Sequence, residues 1–212
     1  MTLDRPGSRF YLGLDLGQAQ DYSALAIAER RVELTGTKDP VTFAPHTETR
    51  IFVRHLERIP LQTPYPQVVE CVRAVTHGYR DRRLQVVMDA TGVGAAVRDM
   101  PIQARLGVEL IGVTITGGQQ VSVAFGGGFH VPRHDLLANL RVLLEKRMLE
   151  ITVSGPPADA LHTELHRWGR RSAHDDLVFA VALACWKAGG QPLSLYGGQG
   201  PLPLIYPEVR RR

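Results

Sequence analysis

The stretch Arg9-Phe-Tyr-Leu-Gly-Leu-Asp15-Leu-Gly17-Gln-Ala-Gln-Asp21-Tyr-Ser-Ala-Leu-Ala-Ile-Ala28 sets a carboxylate inside an otherwise apolar segment. Phe10, Leu12, Leu14 and Leu16 alternate with Tyr11, Gly13 and Asp15, which is the period of a strand. Asp15 therefore shares a face with a tyrosine and a glycine. An isolated charge buried there is costly, so it must be paired, hydrogen-bonded or bound to a cation. Gly17 permits a tight turn, and Ser23-Ala-Leu-Ala-Ile-Ala-Glu29 reads as a returning strand, so the two form a hairpin. Taken alone, Asp15 is as well explained as a structural aspartate capping the hairpin loop. Other carboxylates converging on it would change that reading.

The 212 residues suffice for one substantial domain, with or without a tail. No apolar run is long enough to span a membrane, and the N-terminus lacks the apolar core of a signal peptide. Cys71 and Cys185 stand apart in apolar contexts, the pattern of buried thiols in a reducing compartment rather than of a disulfide or zinc site. The net charge is +4, and arginine outnumbers lysine by 22 to 3. Guanidinium groups hold phosphates bidentately, so a polyanionic partner fits, although genomic base composition produces the same bias.

Along the chain, Met1 to Ser8 reads as a short leader and Thr35 to Thr47 as a polar loop. Arg50 to Glu57 alternates as a third strand, completing an antiparallel meander. Pro64 and Pro66 introduce a helix over Gln67–His77 that carries Val68, Val72 and Val75 on one stripe. Leu84-Gln-Val-Val-Met-Asp89 suits a buried parallel strand, with Thr91 placed to cap a helix beginning at Gly92. Glu109–Ile115 is the next strand. Gly117-Gly118 and Gly126-Gly-Gly128 bracket Gln119–Phe125 as a projecting β-hairpin. A leucine-striped helix follows His130–Asp135, then a short strand at Leu149–Val153 and a helix from Pro157 through Trp168. Ser172-Ala-His174-Asp175-Asp176 opens a last helix, Leu177 to Lys187, apolar almost all round. From Gly189 the composition turns Gly- and Pro-rich and ends Arg210-Arg-Arg212, so residues 1–188 read as the domain and 189–212 as a tail.

This order describes a mixed α/β sheet. Asp15 lies on the first strand, and Asp89 ends the strand expected to pair parallel to it. Ligand sites of open sheets gather outside strand ends where the topology switches. Asp175 and Asp176 begin a buried helix, where acidic residues also suit the helix dipole or a capping box with Ser172. Each site taken alone has such a structural reading. Together, three acidic positions on neighbouring elements repel one another unless a cation is present. Oxygen-only ligands favour Mg²⁺ or Mn²⁺, and a pair of such ions supports in-line phosphoryl displacement.

The sequence resembles the C-terminal nuclease domain of the phage terminase large subunit, of the RNase H-like superfamily. The resemblance rests on Gly13-Leu-Asp15-Leu-Gly17 with Asp21-Tyr-Ser-Ala24, on Val86-Val-Met-Asp89-Ala-Thr-Gly-Val-Gly94, and on His174-Asp175-Asp176-Leu-Val-Phe-Ala-Val-Ala-Leu-Ala184. Val131-Pro-Arg-His-Asp-Leu136 adds to it, and the matches span about Tyr11 to Trp186 in order. It implies a five-stranded mixed sheet flanked by helices with an additional hairpin that gates or contacts DNA. It implies that Asp15 and Asp89 are catalytic metal ligands, joined by one or both of Asp175 and Asp176. Asp21 matches a further ligand position, or a group supporting the ligands. Two Mg²⁺ or Mn²⁺ ions, double-stranded DNA, a terminase ATPase domain, a small terminase subunit and a portal are the implied cofactors and partners, in the cytoplasm of an infected bacterium. No G-x-x-x-x-G-K-[ST] phosphate loop occurs, so the motor is expected elsewhere.

Three other readings compete. A Holliday-junction resolvase of the same superfold would prefer four-way junctions. An actin-like or sugar-kinase protein also starts with a strand and Asp-Leu-Gly, but would need a second related domain. A DNA-docking domain would bind without cutting.

Overall fold

A computed structural model describes residues 8–17, 21–79, 82–92, 99–100, 106–124, 127–167 and 174–189. Three antiparallel strands open it: β1 (Arg9–Asp15), β2 (Ser23–Lys38) and β3 (Pro45–Ile59). Helix α1 (Tyr65–His77) then crosses over to β4 (Leu84–Asp89), which lies parallel to β1 as its apolar run requires. β5 (Glu109–Thr116) continues the parallel half beside β4. The remaining elements are β6 (Ser122–Val123), β7 (Phe129–Pro132), α2 (Arg133–Glu145), β8 (Leu149–Ile151), α3 (Pro156–Arg167) and α4 (Asp176–Ala188). Among the described residues the sheet has eight strands in the order β6-β7-β5-β4-β1-β2-β3-β8. The five central strands are the mixed sheet expected from the sequence, and β8, β7 and β6 extend its edges.

Alternation along β1 divides the core in two. Tyr11 points into a cluster with α2, α3 and α4. Phe10, Leu12 and Leu14 point to the other face, against Val68 and Val72 of α1. α4 is the most deeply placed element, with every residue but Lys187 buried. Its approach to β1 is so close that a β-carbon on Gly13 would lie 1.9 Å from the carbonyl oxygen of Ala180 and 2.8 Å from the amide of Ala184. Glycine is there because the helix backbone occupies the place of a side chain.

Two sequence expectations are corrected. Thr35 to Thr47 is not mainly a loop, because β2 and β3 run on as a two-stranded ribbon to a turn near residues 39–44. The ribbon passes beyond the core, so neither face needs the apolar alternation by which strands are recognised. Asp39 closes its tip, its Oδ1 accepting from the amides of Val41 (3.0 Å) and Thr42 (2.7 Å). The second correction concerns the glycine-flanked hairpin. Gly127 and Gly128 lie in its turn, not beyond its end, and the returning strand is β7, which also pairs parallel with β5. The hairpin is thus an edge of the main sheet. Gly128, at φ +87°, permits this pairing, since a β-carbon there would stand 2.5 Å from the carbonyl oxygen of Gly112.

Cys71 and Cys185 are both free, the second fully buried. No described helix is long and apolar enough to cross a membrane. The expected leader through residue 7, the helix at 93–98, Trp168, Ser172 and the tail from 190 onward lie outside the described residues.

Candidate active site

Asp15 and Asp89 end neighbouring parallel strands. Both face α4, because Tyr11 and Val87 of the same parity lie in the α4 core whereas Leu14 and Met88 lie in the opposite one. Asp176 is the first residue of α4 and Asp175 its N-cap. Four of the five acidic residues singled out from the sequence therefore meet at one end of the sheet. The fifth, Asp21, is exposed on the connection between β1 and β2 and forms no hydrogen bond or ion pair with any described residue.

Charge accumulates around Asp15. Burial, then the charges of Asp89, Asp176, Asp175 and Glu164, push its carboxyl well above the usual carboxylate range. It accepts no hydrogen bond from any described residue. Asp89 is also raised by burial, against the opposing pull of Thr91 and Arg133. Its Oδ1 accepts from the Thr91 amide at 2.7 Å. The Thr91 hydroxyl accepts from the Ile115 amide of β5 at 2.6 Å, and the helix it was expected to cap lies outside the described residues.

Two arginines divide the remaining acids. Arg133, first residue of α2, donates from Nη2 to Asp175 at 2.7 Å. Arg58 donates from Nε to the buried Asp176 at 2.7 Å and from Nη2 to Glu164. Strand register explains the position of Arg58: Asp15 pairs with Ala24 and Ala24 pairs with Arg58, so the arginine shares a transverse row with Asp15. The Tyr22 ring lies 4.9 Å from its guanidinium and meets His174 edge-on at 5.1 Å.

Glu164 was not foreseen. Its Oε2 accepts the Val178 amide at 2.9 Å, satisfying one of the amides that a helix N-terminus leaves unpaired, while Asp175 makes no capping bond. Burial lifts its pKa to about 7, with Asp176 and Asp175 adding to the rise and the Val178 amide and Arg58 opposing it. One signal in the sequence was available: Ala158, Leu161 and Glu164 recur every three residues, placing a carboxylate on the buried stripe of α3. Arg58 and Arg133 carried no such signal, because only register and topology bring them here.

The donor set is all oxygen, which fits a hard divalent cation rather than zinc or a redox metal. Among the described residues no three acidic, histidine or cysteine groups are already closed into a coordination shell. Arg58 and Arg133 draw Asp176 and Asp175 toward themselves instead. The chemical fit is in the residue types and in the repulsion around Asp15 that a cation relieves.

This arrangement gives a pH signature. Glu164 holds its proton up to about 7 when folded, against an ordinary value of 4.5, so the folded protein binds more protons than the unfolded chain in that window. Stability then falls as pH rises from about 4.5 to about 7, by up to about 3 kcal/mol for this group. Asp15 and Asp89 act in the same sense. Glu29 acts oppositely and only at lower pH. Its burial is outweighed by hydrogen bonds from Arg31, Ser8 and Arg54 that keep it below 4.5, so its contribution is lost as pH falls through that lower value. Melting temperature in EDTA is expected to drop between pH 5 and pH 7.5, with a smaller drop in Glu164→Gln. A flat profile across that range in the wild type would contradict the picture.

An RNase H-like α/β domain with an acidic centre at the ends of two parallel strands is the class these features define. Comparison with solved structures agrees on the fold. The chain is similar to the large terminase nuclease of the thermophilic phage G20c, with a TM-score of 0.52 and 22% identity over 86% of this chain and 83% of that one. It is also similar to the human cytomegalovirus terminase nuclease domain in a manganese-soaked structure, with a TM-score of 0.55 and 11% identity over 88% and 87% of the two chains. The chain thus shares its fold with phage and cytomegalovirus terminase nuclease domains. No family profile matches it, and no curated protein matches it.

Proposed function

We propose that this chain is a metal-dependent endonuclease of a viral genome-packaging terminase, cutting concatemeric double-stranded DNA. The observation that carries the reading is Asp15, half-buried on a strand end among Asp89, Asp176, Asp175 and Glu164 with no described hydrogen-bond donor of its own. Such a group is a liability to folding without a cation. The shared fold supports the terminase setting.

Asp15 and Asp89 would hold the metal, joined by Asp175 or Asp176 on release from Arg133 or Arg58. Two divalent ions, when bound, supply stabilisation of the attacking and leaving oxygens in an in-line phosphodiester displacement. The protein's own part is positional. Parallel pairing of β1 with β4 fixes two carboxylates side by side, and the contact of Gly13 with α4 fixes the height of Asp175 and Asp176 above them. Glu164 anchors the first turn of α4 through the Val178 amide. Arg58 and Arg133 neutralise acids while no cation is present, and as cations beside the centre they attract a phosphate backbone. The ATPase motor, small subunit and portal remain the expected partners.

The test is supercoiled plasmid incubated with the purified chain in Mn²⁺, Mg²⁺ or EDTA, beside Asp89→Asn. Nicking and linearisation with Mn²⁺, absent in EDTA and in the variant, is the expected result. Full cleavage by Asp89→Asn would remove that residue from the centre. Faster cutting of a four-way junction than of linear duplex would favour a resolvase.

A further inference from the structure

The end of the sheet opposite the carboxylates is as basic as the other is acidic. Arg9 opens β1 and stands directly across from Arg30 of β2. The Phe10 amide donates to the Arg83 carbonyl at 3.0 Å, which carries the β1–β4 pairing one residue further and sets Arg83 beside Arg9. Three adjacent strands thus present three arginines in one transverse row on one face. The other face of the same end holds Phe52, with the guanidiniums of Arg31, Arg54 and Arg50 at 4.9, 4.7 and 5.7 Å from its ring centre.

The carboxylates nearby do not balance this. Glu29 is taken by Arg31 and Arg54, both at 2.7 Å. Glu150 lies 3.7 Å from Arg50. Glu109, two strands from Arg9, is bonded by Gln85. Among the described residues, Arg9, Arg30 and Arg83 form no ion pair and the buried Nε of Arg30 has no hydrogen-bond acceptor. Like charges directly opposite on a sheet destabilise it, and a buried donor without an acceptor costs more still. An anion bridging the row would relieve the repulsion.

We infer that this arginine-lined end of the sheet is a second duplex-DNA contact, binding the phosphodiester backbone away from the site of cleavage. The inference rests on the DNA-acting function proposed above. Arg9 and Asp15 are six residue steps apart on β1, about 20 Å at the rise of a strand, so the contact engages phosphates several base pairs from the scissile one. Arginines spaced across neighbouring strands with an aromatic beneath one face suit a phosphate backbone, which they grip bidentately and without reading sequence. The contact holds DNA on the nuclease whether or not metal is present.

The experiment measures affinity of the full chain for a linear 40-base-pair duplex in EDTA, from 50 to 200 mM NaCl, for the wild type and for the triple variant Arg9→Gln, Arg30→Gln, Arg83→Gln. Arg141→Gln, on an exposed pair with Glu145 elsewhere, serves as the control for loss of one positive charge. Each lost phosphate contact removes about 0.9 from the slope of log K against log salt, so the triple variant is expected to bind with a slope shallower by about three. Its melting temperature should equal or exceed that of the wild type, because like-charge repulsion has been removed. Mn²⁺-dependent cleavage by the wild type, with an unchanged salt slope in the triple variant, would overturn the contact alone. A wild-type chain that binds no duplex at any of these salts would overturn the contact together with the proposed function.

Discussion

Asp15→Asn is expected to abolish metal-dependent cleavage and, at the same time, to make the metal-free protein more stable. The two effects share one cause. Burial and four neighbouring carboxylates disfavour the Asp15 charge, and a folded protein that keeps it gives up stability near neutral pH. Asparagine has the same shape without the charge, so the melting temperature in EDTA should rise. The same change removes the central candidate ligand, and loss of a single group that stabilises transition-state charge reduces rate by about 10²–10³-fold or more. Plasmid cleavage and thermal unfolding on the same preparation check both halves. A variant that loses cleavage and stability together would point to a structural aspartate, the reading Asp15 would have if it stood alone. Residues held for chemistry at a cost to folding are the usual origin of such opposed effects.

Gly13→Ala is expected to give the largest loss of stability of any single methyl addition to β1. The added carbon would meet the Ala180 carbonyl at 1.9 Å, a distance that no side-chain rotation relieves because both partners are backbone. Overpacking a well-filled core costs about 1–3 kcal/mol, occasionally more, and a backbone-to-backbone clash belongs at or above the top of that range. Because α4 must move to accommodate it, Asp175 and Asp176 move too, so cleavage should fall even in whatever fraction remains folded. Gly117→Ala is the matched control, with open space around the new carbon and an expected change within about 0.5 kcal/mol. Urea denaturation of both variants gives the comparison. Equal midpoints for the two would mean that α4 does not press on β1 as described.

Much of this fold is legible in the sequence because burial on both sides leaves a clear pattern. The apolar run Leu84–Asp89 coincides with β4, and the helical apolar character of Leu177–Lys187 matches α4 nearly residue for residue. Legibility ends where burial ends. The far part of the β2–β3 ribbon lies outside the core, so Thr35 to Thr47 carries no period to read and has the composition of a loop. β7 is four residues long and defined by pairing with β5 and β6, and nothing local announces such a pairing. The same division holds at the site. Acidic residues at strand and helix ends were visible because a charge stands out against apolar surroundings. Arg58 and Arg133 were not, since arginine is common in this chain and only the register of three strands, or the turn from β7 into α2, carries them to the centre. Glu164 falls between, a carboxylate on a buried helical stripe whose partner, the Val178 amide, lies on another element.

The two ends of the sheet give the domain a polarity that its overall charge conceals. A net charge of +4 is modest, yet five carboxylates meet at one end and a surplus of arginines at the other. On the proposed function, long-range attraction for DNA would come from surfaces flanking the acidic centre, while the centre itself would repel phosphate until cations are present. That ordering would make binding separable from cleavage.

The most direct test of the central claim is uptake of Mn²⁺ by the DNA-free protein at pH 7.5, followed by the loss of the free-ion signal in electron paramagnetic resonance. The carboxylates around Asp15 are predicted to take up about two equivalents in the wild type, with uptake sharply reduced in Asp15→Asn and in Asp89→Asn. Uptake equal in all three proteins, or absent from a folded wild type, would contradict a cation site at this centre.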